Sequence, residues 1–485
     1  MKAYTHLLIV VGSLFLIIAC SERFVDAEPR SDGVVTEITA YINDSTKTKT
    51  GILDNDSGGK TVVWKSGNAI SLFFNNGDSG GSKFTTENNG TIATFTGTIS
   101  VVSGDLSGSG GSASFWALYP YYSASSCDGS SITTILPYAQ AAYAGDLSDD
   151  LLVTIGRSPN PAIYFRNVCS VIEFTLSQEN ITQICFTGRY GEKIAGEFQA
   201  SFDNNNKVVS TPTVNGVETI IISPAESLTF STGVKYYFVL LPGTFSHGYK
   251  LTFTRADGYE ASYTSSAAIT LNPGLFYTMN NKDNGLSFYA PSFATPSPVD
   301  LGLSVKWASF NLGASSPVET GYYYAWGELS PKAIYRVENY RWCNGSTTSL
   351  TKYNNNSSIG LVDNLNTLEP VDDVAHKMLG GRWRFPTYNE FLELVRNCTW
   401  EWVLLNGAEG YQITSPTTGN SIFLPTTGWK NGLVSEWSES YCIHWTSKVE
   451  NQTAWANGCT NDQYYGNAWM PIVRYYGVPV RPVYE

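Results

Sequence analysis

The chain has 485 residues, of which 14% are aromatic and only 15% are charged, and its formal net charge at pH 7 is −12. A negative charge of this size argues against nucleic acid as a partner and is typical of a solvated exterior. The length and the apolar content allow sizeable cores and predict roughly two to four domains.

The chain begins with the pattern of an exported protein. Lys2 precedes an apolar run from Leu7 to Ala19, which is about half the length that an isolated helix needs to cross a bilayer. The run ends at Ile17-Ile18-Ala19-Cys20, which looks like a bacterial lipobox. Residues 1–19 are therefore interpreted as a lipoprotein signal peptide, and Cys20 as the lipidated first residue of segment 20–34. Several acyl chains on one residue suffice for stable anchoring. The alternative is an ordinary secretory signal with an incidental cysteine.

The next two hundred and fifty or so residues have the pattern of β-strands. Short apolar or alternating runs are separated by Gly, Ser, Asn and Asp, and helical periodicity is nearly absent. The clearest strands are predicted at Ala69–Phe74, Ser114–Tyr119 and Tyr236–Leu241. The pair Asp257-Gly258 lies between two alternating runs and predicts a hairpin turn. This patterning favours β-sandwiches.

A set of short motifs recurs in a characteristic order through this region. The motifs are Thr48-Lys49-Thr50, Trp64-x-x-Gly67-x-x-Ile70, Phe115-Trp116-Ala117-Leu118-Tyr119-Pro120, Leu136-Pro137 and Tyr237-Phe238-Val239-Leu240-Leu241-Pro242. Their order resembles fimbrillin-like proteins of Bacteroidales over roughly residues 35 to 283. The resemblance implies two transthyretin-like β-sandwiches, over residues 35–160 and 161–283, in a lipoprotein that assembles with other subunits into type V fimbriae by strand donation.

Strand donation requires an open sheet edge that gains main-chain hydrogen bonds from the incoming strand. In the fimbrillin-like family, a protease that cuts after an arginine removes the first strand from many subunits. The resemblance makes Arg23, Arg30 and Arg157 the candidate processing sites in this chain. Arg157 lies in Gly156-Arg157-Ser158-Pro159, and the alternative for it is an ordinary exposed loop arginine.

Residues 284–298 are rich in proline and serine, which favours an extended, semi-rigid linker. A different module begins at Val299. Its motifs include Val299-Asp300-Leu301-Gly302-Leu303-Ser304-Val305-Lys306-Trp307-Ala308, Tyr324-Ala325-Trp326-Gly327-Glu328, Gly419-Asn420-Ser421-Ile422-Phe423-Leu424-Pro425 and Val480-Arg481-Pro482-Val483. This string resembles the Fibrobacter succinogenes major paralogous domain and is assigned to residues 299–485. It implies an α+β fold similar to C-type lectins and to formylglycine-generating enzymes.

The segment Gly380–Phe391 of this module combines a turn, a strand and a helix start. Thr387, followed three residues later by Glu390, predicts a capping box and a helix that ends near Asn397-Cys398. Trp383 and Phe385 are expected to pack in the core. The segment is therefore interpreted as a scaffold that holds recognition loops.

A formylglycine-generating enzyme needs a reactive cysteine pair that could hold copper. Cys442 and Cys459 lie in different segments, and the sequence shows no basic pocket around them that would favour thiolates. A disulfide between them, or two buried thiols, is the preferred interpretation. His376 and His444 have no nucleophile elbow near them. The chain is predicted not to be an enzyme.

A lectin-like module needs aromatic faces for the apolar faces of sugar rings and polar groups for the hydroxyls. The candidate ligand-binding residues are Trp326, Trp342, Trp429, Trp455, Tyr464 and Tyr465, and each has core packing as its alternative. Glu369, Asp372, Asp373 and Asp462 could supply oxygen ligands to calcium. However, Glu369-Pro370-Val371 lacks the amide that follows the proline in sugar-binding C-type lectins, so no metal or other cofactor is predicted.

The predicted fold is thus mainly β, with two transthyretin-like β-sandwiches followed by an α+β C-type-lectin-like domain. The predicted function is that of a non-enzymatic lipoprotein of the bacterial outer membrane and cell surface, acting as a minor or tip fimbrial subunit. It would be an adhesin for a host or bacterial glycan or protein receptor. The additional C-terminal module motivates the tip position, because it would obstruct packing along a shaft. The alternative is a free-standing glycan-binding surface lipoprotein that does not polymerise.

Overall fold

The structure is a computed structural model that describes residues 32–42, 53–54, 60–61, 63–74, 81–102, 115–148, 150–292, 294–460 and 470–485. The described part is mainly β, as the sequence predicts, with two short α-helices near the C-terminal end. Neither helix is long and apolar enough to span a bilayer. The strand bounds at Ala69–Phe74, Phe115–Tyr119 and Tyr236–Leu240 confirm the three clearest strand predictions.

Most of the N-terminal strands join one closed sheet. The first twelve strands are β1 (Asp32–Ile42), β2 (Leu53–Asp54), β3 (Lys60–Thr61), β4 (Ala69–Phe74), β5 (Ser82–Thr85), β6 (Ile92–Val102), β7 (Phe115–Tyr119), β8 (Ser126–Cys127), β9 (Ser131–Leu136), β10 (Ala139–Ala142), β11 (Thr154–Ser158) and β12 (Ala162–Asn167). The closed sheet has the order β1-β12-β11-β7-β4-β5-β6 and is called the first barrel here. It closes because β1 bonds to β6 on one side and to β12 on the other. The hydrogen bonding of this unit is therefore continuous around the sheet, and the predicted transthyretin-like topology stays a prediction.

The core of the first barrel is built around one tryptophan. Trp64 has no exposed surface, and its ring meets the rings of Phe95, Tyr119 and Phe165 edge-on at centroid distances of 5.0 to 5.3 Å. Edge-to-face contacts at such distances add to the stabilisation from burial alone. Trp64 belongs to one of the motifs that carry the fimbrillin-like resemblance, and its role here is packing.

The following strands form a second unit, called the second sandwich. They are β13 (Ser170–Phe174), β14 (Ile181–Gly188), β15 (Ala195–Phe202), β16 (Val208–Val217), β17 (Thr219–Pro224), β18 (Tyr236–Leu240), β19 (Gly243–Phe245), β20 (Tyr249–Arg255), β21 (Glu260–Ser265), β22 (Ile269–Leu271) and β23 (Phe276–Thr278). The main sheets have the orders β10-β17-β14-β20-β21, β18-β13-β23 and β16-β15-β9-β8. The predicted hairpin turn at Asp257-Gly258 is confirmed between β20 and β21.

Strand pairing does not divide these two units at residue 160. Strands β8 to β10 pair with later strands of the second sandwich, whereas β11 and β12 return to the first barrel. The chain therefore crosses between the units more than once. Gln140 of β10 ties two sheets of the second sandwich together, because its side chain donates to the Val239 carbonyl at 2.7 Å and accepts from the Val239 amide at 3.1 Å.

The C-terminal module contains the two α-helices and the remaining strands. Its elements are β24 (Pro298–Val299), β25 (Lys306–Ala308), β26 (Tyr323–Tyr324), α1 (Val374–Leu379), β27 (Trp383–Arg384), α2 (Tyr388–Asn397), β28 (Thr399–Leu405), β29 (Ala408–Thr414), β30 (Ser421–Pro425), β31 (Trp429–Asn431), β32 (Val434–Glu436), β33 (Tyr441–Glu450), β34 (Thr453–Thr460), β35 (Met470–Val473), β36 (Val478–Pro479) and β37 (Val483–Tyr484). Its first and last strands lie in one sheet of order β24-β25-β37-β27. Helix α2 buries Phe391, Leu394 and Val395, and Phe391 meets Trp307 of β25 at 4.8 Å.

The second sandwich and the C-terminal module share a packed interface. The Ala333 amide donates to the Ser223 hydroxyl at 3.0 Å, and the Asn339 side chain donates to the Pro224 carbonyl at 3.0 Å. Ile334 has no exposed surface and packs with Ala141 and Ala225. Buried polar groups that are paired across an interface hold its geometry, because separating them would leave them unsatisfied.

The segment predicted as a linker also contacts the second sandwich. Tyr289 exchanges two backbone hydrogen bonds with Glu260 of β21, at 2.8 and 2.9 Å. The segment then enters the module at β24. Part of the proline-rich stretch is therefore held along a sheet edge, instead of spacing the two units apart.

Candidate ligand-binding surface

The segment Gly380–Phe391 forms the predicted turn, strand and helix start. The Glu390 amide donates to the Thr387 hydroxyl at 3.2 Å, and the Glu390 carboxylate accepts from the Thr387 amide at 2.7 Å, which confirms the capping box. The Arg384 guanidinium holds the same carboxylate at 2.6 and 2.9 Å. Trp383 and Phe385 are 5% and 1% exposed, so both pack inside, as expected.

Asp373 joins this scaffold to helix α1. Its carboxylate accepts from the His376 amide at 3.0 Å, as the N-cap of α1, and from the Phe385 amide at 2.7 Å. Burial raises the pKa of Asp373 to about 6, although the amide bonds act in the opposite direction. Both carboxylate oxygens are thus occupied by backbone donors.

Two of the predicted ligand-binding tryptophans are part of the module's interior. Trp326 has no exposed surface, and its indole nitrogen donates to the Thr446 carbonyl at 2.9 Å. It therefore offers no ring face to a ligand in this conformation. Trp342 is half-buried and donates to the Gly327 carbonyl at 2.9 Å. The charged groups of Arg341 and Lys352 lie 4.7 and 5.1 Å from its ring centroid, so cations already occupy positions against the ring.

The third predicted tryptophan, Trp429, is at the base of an exposed aromatic hairpin. Strands β31 and β32 pair Trp429 with Glu436, and the indole nitrogen donates to the Glu436 carboxylate at 2.7 Å. Trp437 follows Glu436 and is 57% exposed. The ring of Tyr441 lies between them, with its centroid 6.1 Å from Trp429 and 5.5 Å from Trp437. These four residues are called the hairpin surface.

Trp437 is the functional candidate that the sequence reasoning missed. Its backbone has a φ of 57°, a left-handed conformation that costs a non-glycine residue about 1–2 kcal/mol. A large exposed aromatic side chain in such a conformation is unusual, and strain of this kind tends to occur where a surface has a function. The signal available in the sequence was a tryptophan between Glu and Ser residues, Ser435-Glu436-Trp437-Ser438-Glu439, where core packing is not expected.

Several residues with predicted roles lie outside the part of the chain that the structure describes. The residues Cys20, Arg23, Arg30, Asp462, Tyr464 and Tyr465 lie outside the described part of the chain, as does the side chain of Trp455. Their predicted roles therefore stay predictions.

The cysteine pair of the module lies in register across a hairpin. Strands β33 and β34 place Cys442 directly opposite Cys459. The side chain of Cys459 lies outside the described atoms, so a disulfide between these residues stays a prediction. Within the described residues, no group of three or more His, Cys, Asp or Glu side chains is arranged to hold a metal ion.

The candidate calcium ligands that the structure describes are engaged with other groups. Asp372 accepts from the Lys352 amine at 2.7 Å and from the Tyr353 hydroxyl at 2.6 Å. The same Lys352 amine forms an ion pair with Glu369. A calcium site at these carboxylates would have to displace this lysine, because the ammonium group occupies the position of the cation.

His444 belongs to a buried polar network. Its Nε2 lies 3.0 Å from the Asn311 side-chain oxygen, which also accepts from Arg481 at 2.8 Å. Arg481 is fully buried and donates further to the carbonyls of Ala308 and Phe423 at 2.9 and 2.7 Å. Burial, and to a lesser extent the charge of Arg481, hold the pKa of His444 well below its ordinary value. The network braces the module from within and has no exposed atom for chemistry.

The described part of the first barrel bears on strand donation. Strand β1 is paired on both sides, antiparallel to β6 and parallel to β12. Arg157 lies within β11, opposite Trp116 of β7, and its guanidinium is 5.3 Å from the Trp116 ring centroid. The sequence contains no arginine between Ile42, where β1 ends, and Arg157. A cut after Arg157 would therefore separate β1 to β10, and most of β11, from the rest of the chain.

Strand β37 is paired on both sides within the module. β37 pairs antiparallel with β25 through Lys306↔Tyr484 and Trp307↔Val483, and with β27 through Trp383↔Tyr484. Val483 has no exposed surface. Strand β37 is thus part of the module's own sheet.

Comparison with known proteins gives structural likeness without a family assignment. No protein-family model matches the chain, and no curated protein matches it. A Bacteroides ovatus protein assigned to cell adhesion is similar with 13% identity and a TM-score of 0.31, covering 53% of this chain and 95% of its own. A fimbrial protein from Bacteroides ovatus is similar with 11% identity and a TM-score of 0.24, and the match covers 93% of this chain and 99% of that protein's chain.

A third solved structure is the tip fimbrial protein Mfa3 from Porphyromonas gingivalis with a C-terminal truncation. It has 6% identity and a TM-score of 0.26, and it covers 52% of this chain and 98% of its own. The structural neighbours are thus fimbrial and adhesin proteins. At these scores the likeness carries no argument about how this chain works.

Proposed function

We propose that this chain is a non-enzymatic cell-surface adhesin that occupies the end of a fimbrial fibre. The first barrel and the second sandwich attach it to other subunits, and the C-terminal module presents the ligand-binding surface. Cys20 carries the lipid anchor by which the chain reaches the outer membrane before assembly. The observation that carries the end position is the additional module, which is packed against the second sandwich.

In a fibre built by strand donation, an internal subunit accepts one strand and donates another. Strand β37 lies in the central part of a sheet, between β25 and β27. Donating it would require the module to lose these pairings and to expose Val483, which is fully buried. The additional module beside the second sandwich would obstruct packing along a shaft, and this favours a position at the end of the fibre.

Acceptance takes place at the position of β1, and releasing β1 alone requires a cut after Ile42 at a residue other than arginine. Removing β1 would leave the edges of β6 and β12 unpaired and would expose the apolar residues beside Ile38 and Ala40, which are at most 1% exposed. An incoming strand that restores these hydrogen bonds and fills this groove would be bound by β-augmentation.

The hairpin surface supports the assignment of ligand recognition to the C-terminal module. It brings the rings of Trp429, Trp437 and Tyr441 beside the carboxylate of Glu436. Aromatic faces suit the apolar faces of sugar rings, and a carboxylate accepts hydrogen bonds from hydroxyl groups. The arrangement favours a glycan ligand over an extended apolar peptide.

Immunogold electron microscopy with an antibody against the C-terminal module tests the position. We expect label at fibre ends, and peptide mapping of the fibre-bound chain should lack residues 32–42. Label that is scattered over the membrane and absent from fibre ends would refute the end position.

A glycan array with the full chain, compared with the Trp437→Ala variant, tests recognition. An array that stays blank for both proteins would remove the glycan assignment.

A second candidate is a free-standing glycan-binding lipoprotein that does not polymerise. The absence of any arginine between Ile42 and Arg157 favours it, because arginine-specific processing then has no site that would release β1 alone. In that case residues 32–42 would remain in the chain isolated from cells, and the antibody would label only the membrane.

A further inference from the structure

A polar cleft lies between the second sandwich and the C-terminal module. Its volume is about 540 Å³, which is within the range of sites for small ligands. Residues of β14, β20 and β21 form its floor, and residues of β26 and β31 form its wall. Interfaces between domains are preferred positions for ligand sites. None of the predicted ligand-binding residues that the structure describes lines this cleft, so it is a separate feature of the molecule.

The floor of the cleft is rich in groups that can bind hydroxyls. Gln183, Lys250, Thr252 and Glu260 all line it. The strand register places Gln183 opposite Thr254 and Lys250 opposite Thr187, so side chains of alternate residues share this face of the sheet. Burial raises the pKa of Glu260, while the charge of Lys250 acts in the opposite direction. Amide, hydroxyl, amine and carboxyl groups therefore occur side by side on a rigid sheet.

The wall supplies aromatic rings and a second amine. Tyr322 is 44% exposed and lies on the Gly313 backbone, where a larger residue would collide with its ring. The Lys430 amine is 4.7 Å from the centroid of the Tyr323 ring. Within the described residues, no carboxylate lies close enough to Lys430 to form an ion pair. Burial lowers the pKa of Lys430, which means that a counter-ion in the cleft would stabilise its charged form.

Lys430 also connects the cleft with the hairpin surface. It follows Trp429 on β31, and successive side chains of a strand point to opposite faces. Trp429 bonds to Glu436 of the hairpin surface, whereas Lys430 lines the cleft. Strand β31 therefore contributes one side chain to the hairpin surface and another to the cleft.

The geometry points to this cleft as a binding site for an acidic sugar, a monosaccharide unit that carries a carboxylate. The carboxylate pairs with the Lys430 amine, the hydroxyls bond to Gln183, Thr252 and Glu260, and an apolar ring face lies against Tyr322. This inference rests on the proposed function, because it names the class of glycan that the adhesin recognises. The packed interface around Ser223 and Asn339 fixes the floor and the wall before the ligand arrives, which lowers the entropic cost of binding.

The test is a calorimetric titration of the full chain, solubilised in detergent, with glucuronate, glucose and inorganic phosphate. We expect glucuronate to bind, and both glucose and phosphate to bind at least about tenfold more weakly, because only glucuronate offers both the charge and the ring. The Lys430→Met variant keeps the apolar stem of the side chain and should lose affinity for glucuronate by about tenfold or more. Lys306→Met is the matched control, since Lys306 is exposed on β25 and outside the cleft.

Equal binding of glucose and glucuronate, binding of phosphate as tight as that of glucuronate, or unchanged glucuronate affinity in Lys430→Met would overturn the inference. Unfolding curves of both variants separate lost binding from lost folding, and Lys430→Arg, which restores a cation, should recover binding if folding is intact. The outcomes also separate this inference from the proposed function. Label at fibre ends without glucuronate binding removes only the cleft site. Glucuronate binding without label at fibre ends removes only the fimbrial position.

Discussion

The buried ion pair between Lys332 and Glu328 allows a quantitative test of what holds the module's interface region together. Their side chains are 1% and 2% exposed, and the Lys332 amine lies 2.9 Å from the Glu328 carboxylate. The amine also donates to the carbonyl and the side-chain oxygen of Asn339 at 3.0 and 3.2 Å. The Glu328 carboxylate additionally accepts from the Arg341 amide at 2.8 Å. Removing one partner of such a pair leaves an uncompensated buried charge.

The Lys332→Met variant should lower the free energy of unfolding of the module by about 3–5 kcal/mol, the usual cost of a buried charge without its partner. With a urea dependence of about 2 kcal/mol per M, the midpoint should fall by about 1.5–2.5 M. Tryptophan fluorescence reports mainly on this module, because most tryptophans lie within residues 299–485. The double variant Lys332→Met/Glu328→Gln should recover most of the loss, since the glutamine is neutral and can still accept from Arg341.

The control is a partly exposed pair in the second sandwich, Arg255 and Asp257, whose side chains are 35% and 37% exposed. Arg255→Met should cost less than about 1 kcal/mol, because water already screens these charges, and its unfolding is followed by circular dichroism since residues 161–283 contain no tryptophan. A double variant that is as unstable as Lys332→Met alone would refute the reasoning, since it would mean that lost packing, and not an isolated charge, causes the destabilisation.

Three further expectations concern the same module. Thr387→Ala should lower the free energy of unfolding by about 1 kcal/mol in urea titration, because α2 loses its N-cap, and an unchanged midpoint would contradict this. His444 has a pKa well below the ordinary value of 6.5, so below that pH the unfolded chain binds a proton that the folded chain does not. As the pH falls below 6.5, the free energy of unfolding of the wild type should therefore decrease by up to about 1.4 kcal/mol per pH unit relative to that of His444→Gln. Parallel curves of stability against pH for the two proteins would show that His444 does not cause the loss. Trp437→Ala should change the free energy of unfolding by less than about 0.5 kcal/mol but reduce the glycan-array signal. Trp326→Ala should lower the free energy of unfolding by about 3–5 kcal/mol. A larger loss of stability in Trp437→Ala than in Trp326→Ala would mean that the exposed and buried roles are misassigned.

The predictions that held depend on residues close together in the chain. The capping box needs only Thr387 and Glu390, and the hairpin turn needs only Asp257 and Gly258, so the local sequence contains all of the information. The closed first barrel depends instead on the parallel pairing of β1 with β12, whose residues are far apart in sequence. Alternation of apolar residues predicts a strand but does not name its neighbour.

In the candidate site, too, some features follow from the local sequence and others depend on packing between distant residues. Aromatic residues beside loop-like sequence were a sound starting point, and Trp429 does lie at an exposed hairpin. Whether a tryptophan is covered depends on what packs over it, which is why Trp326 is interior and Trp437 is exposed. The cleft was beyond sequence reasoning because its floor and its wall come from two units whose contact no local pattern reveals.

The docking of the C-terminal module against the second sandwich has a mechanical consequence. The module is held through the bonds to Ser223 and Pro224 as well as through the chain that leads into it, which is bonded to β21 by Tyr289. A pull on a bound ligand is therefore shared between two attachments, and the weaker one does not have to carry the whole load. If the protein is an adhesin as proposed, its ligand-binding face would keep one orientation relative to the sheets beneath it under flow, and a bacterium tethered through it would be restrained in direction as well as in distance.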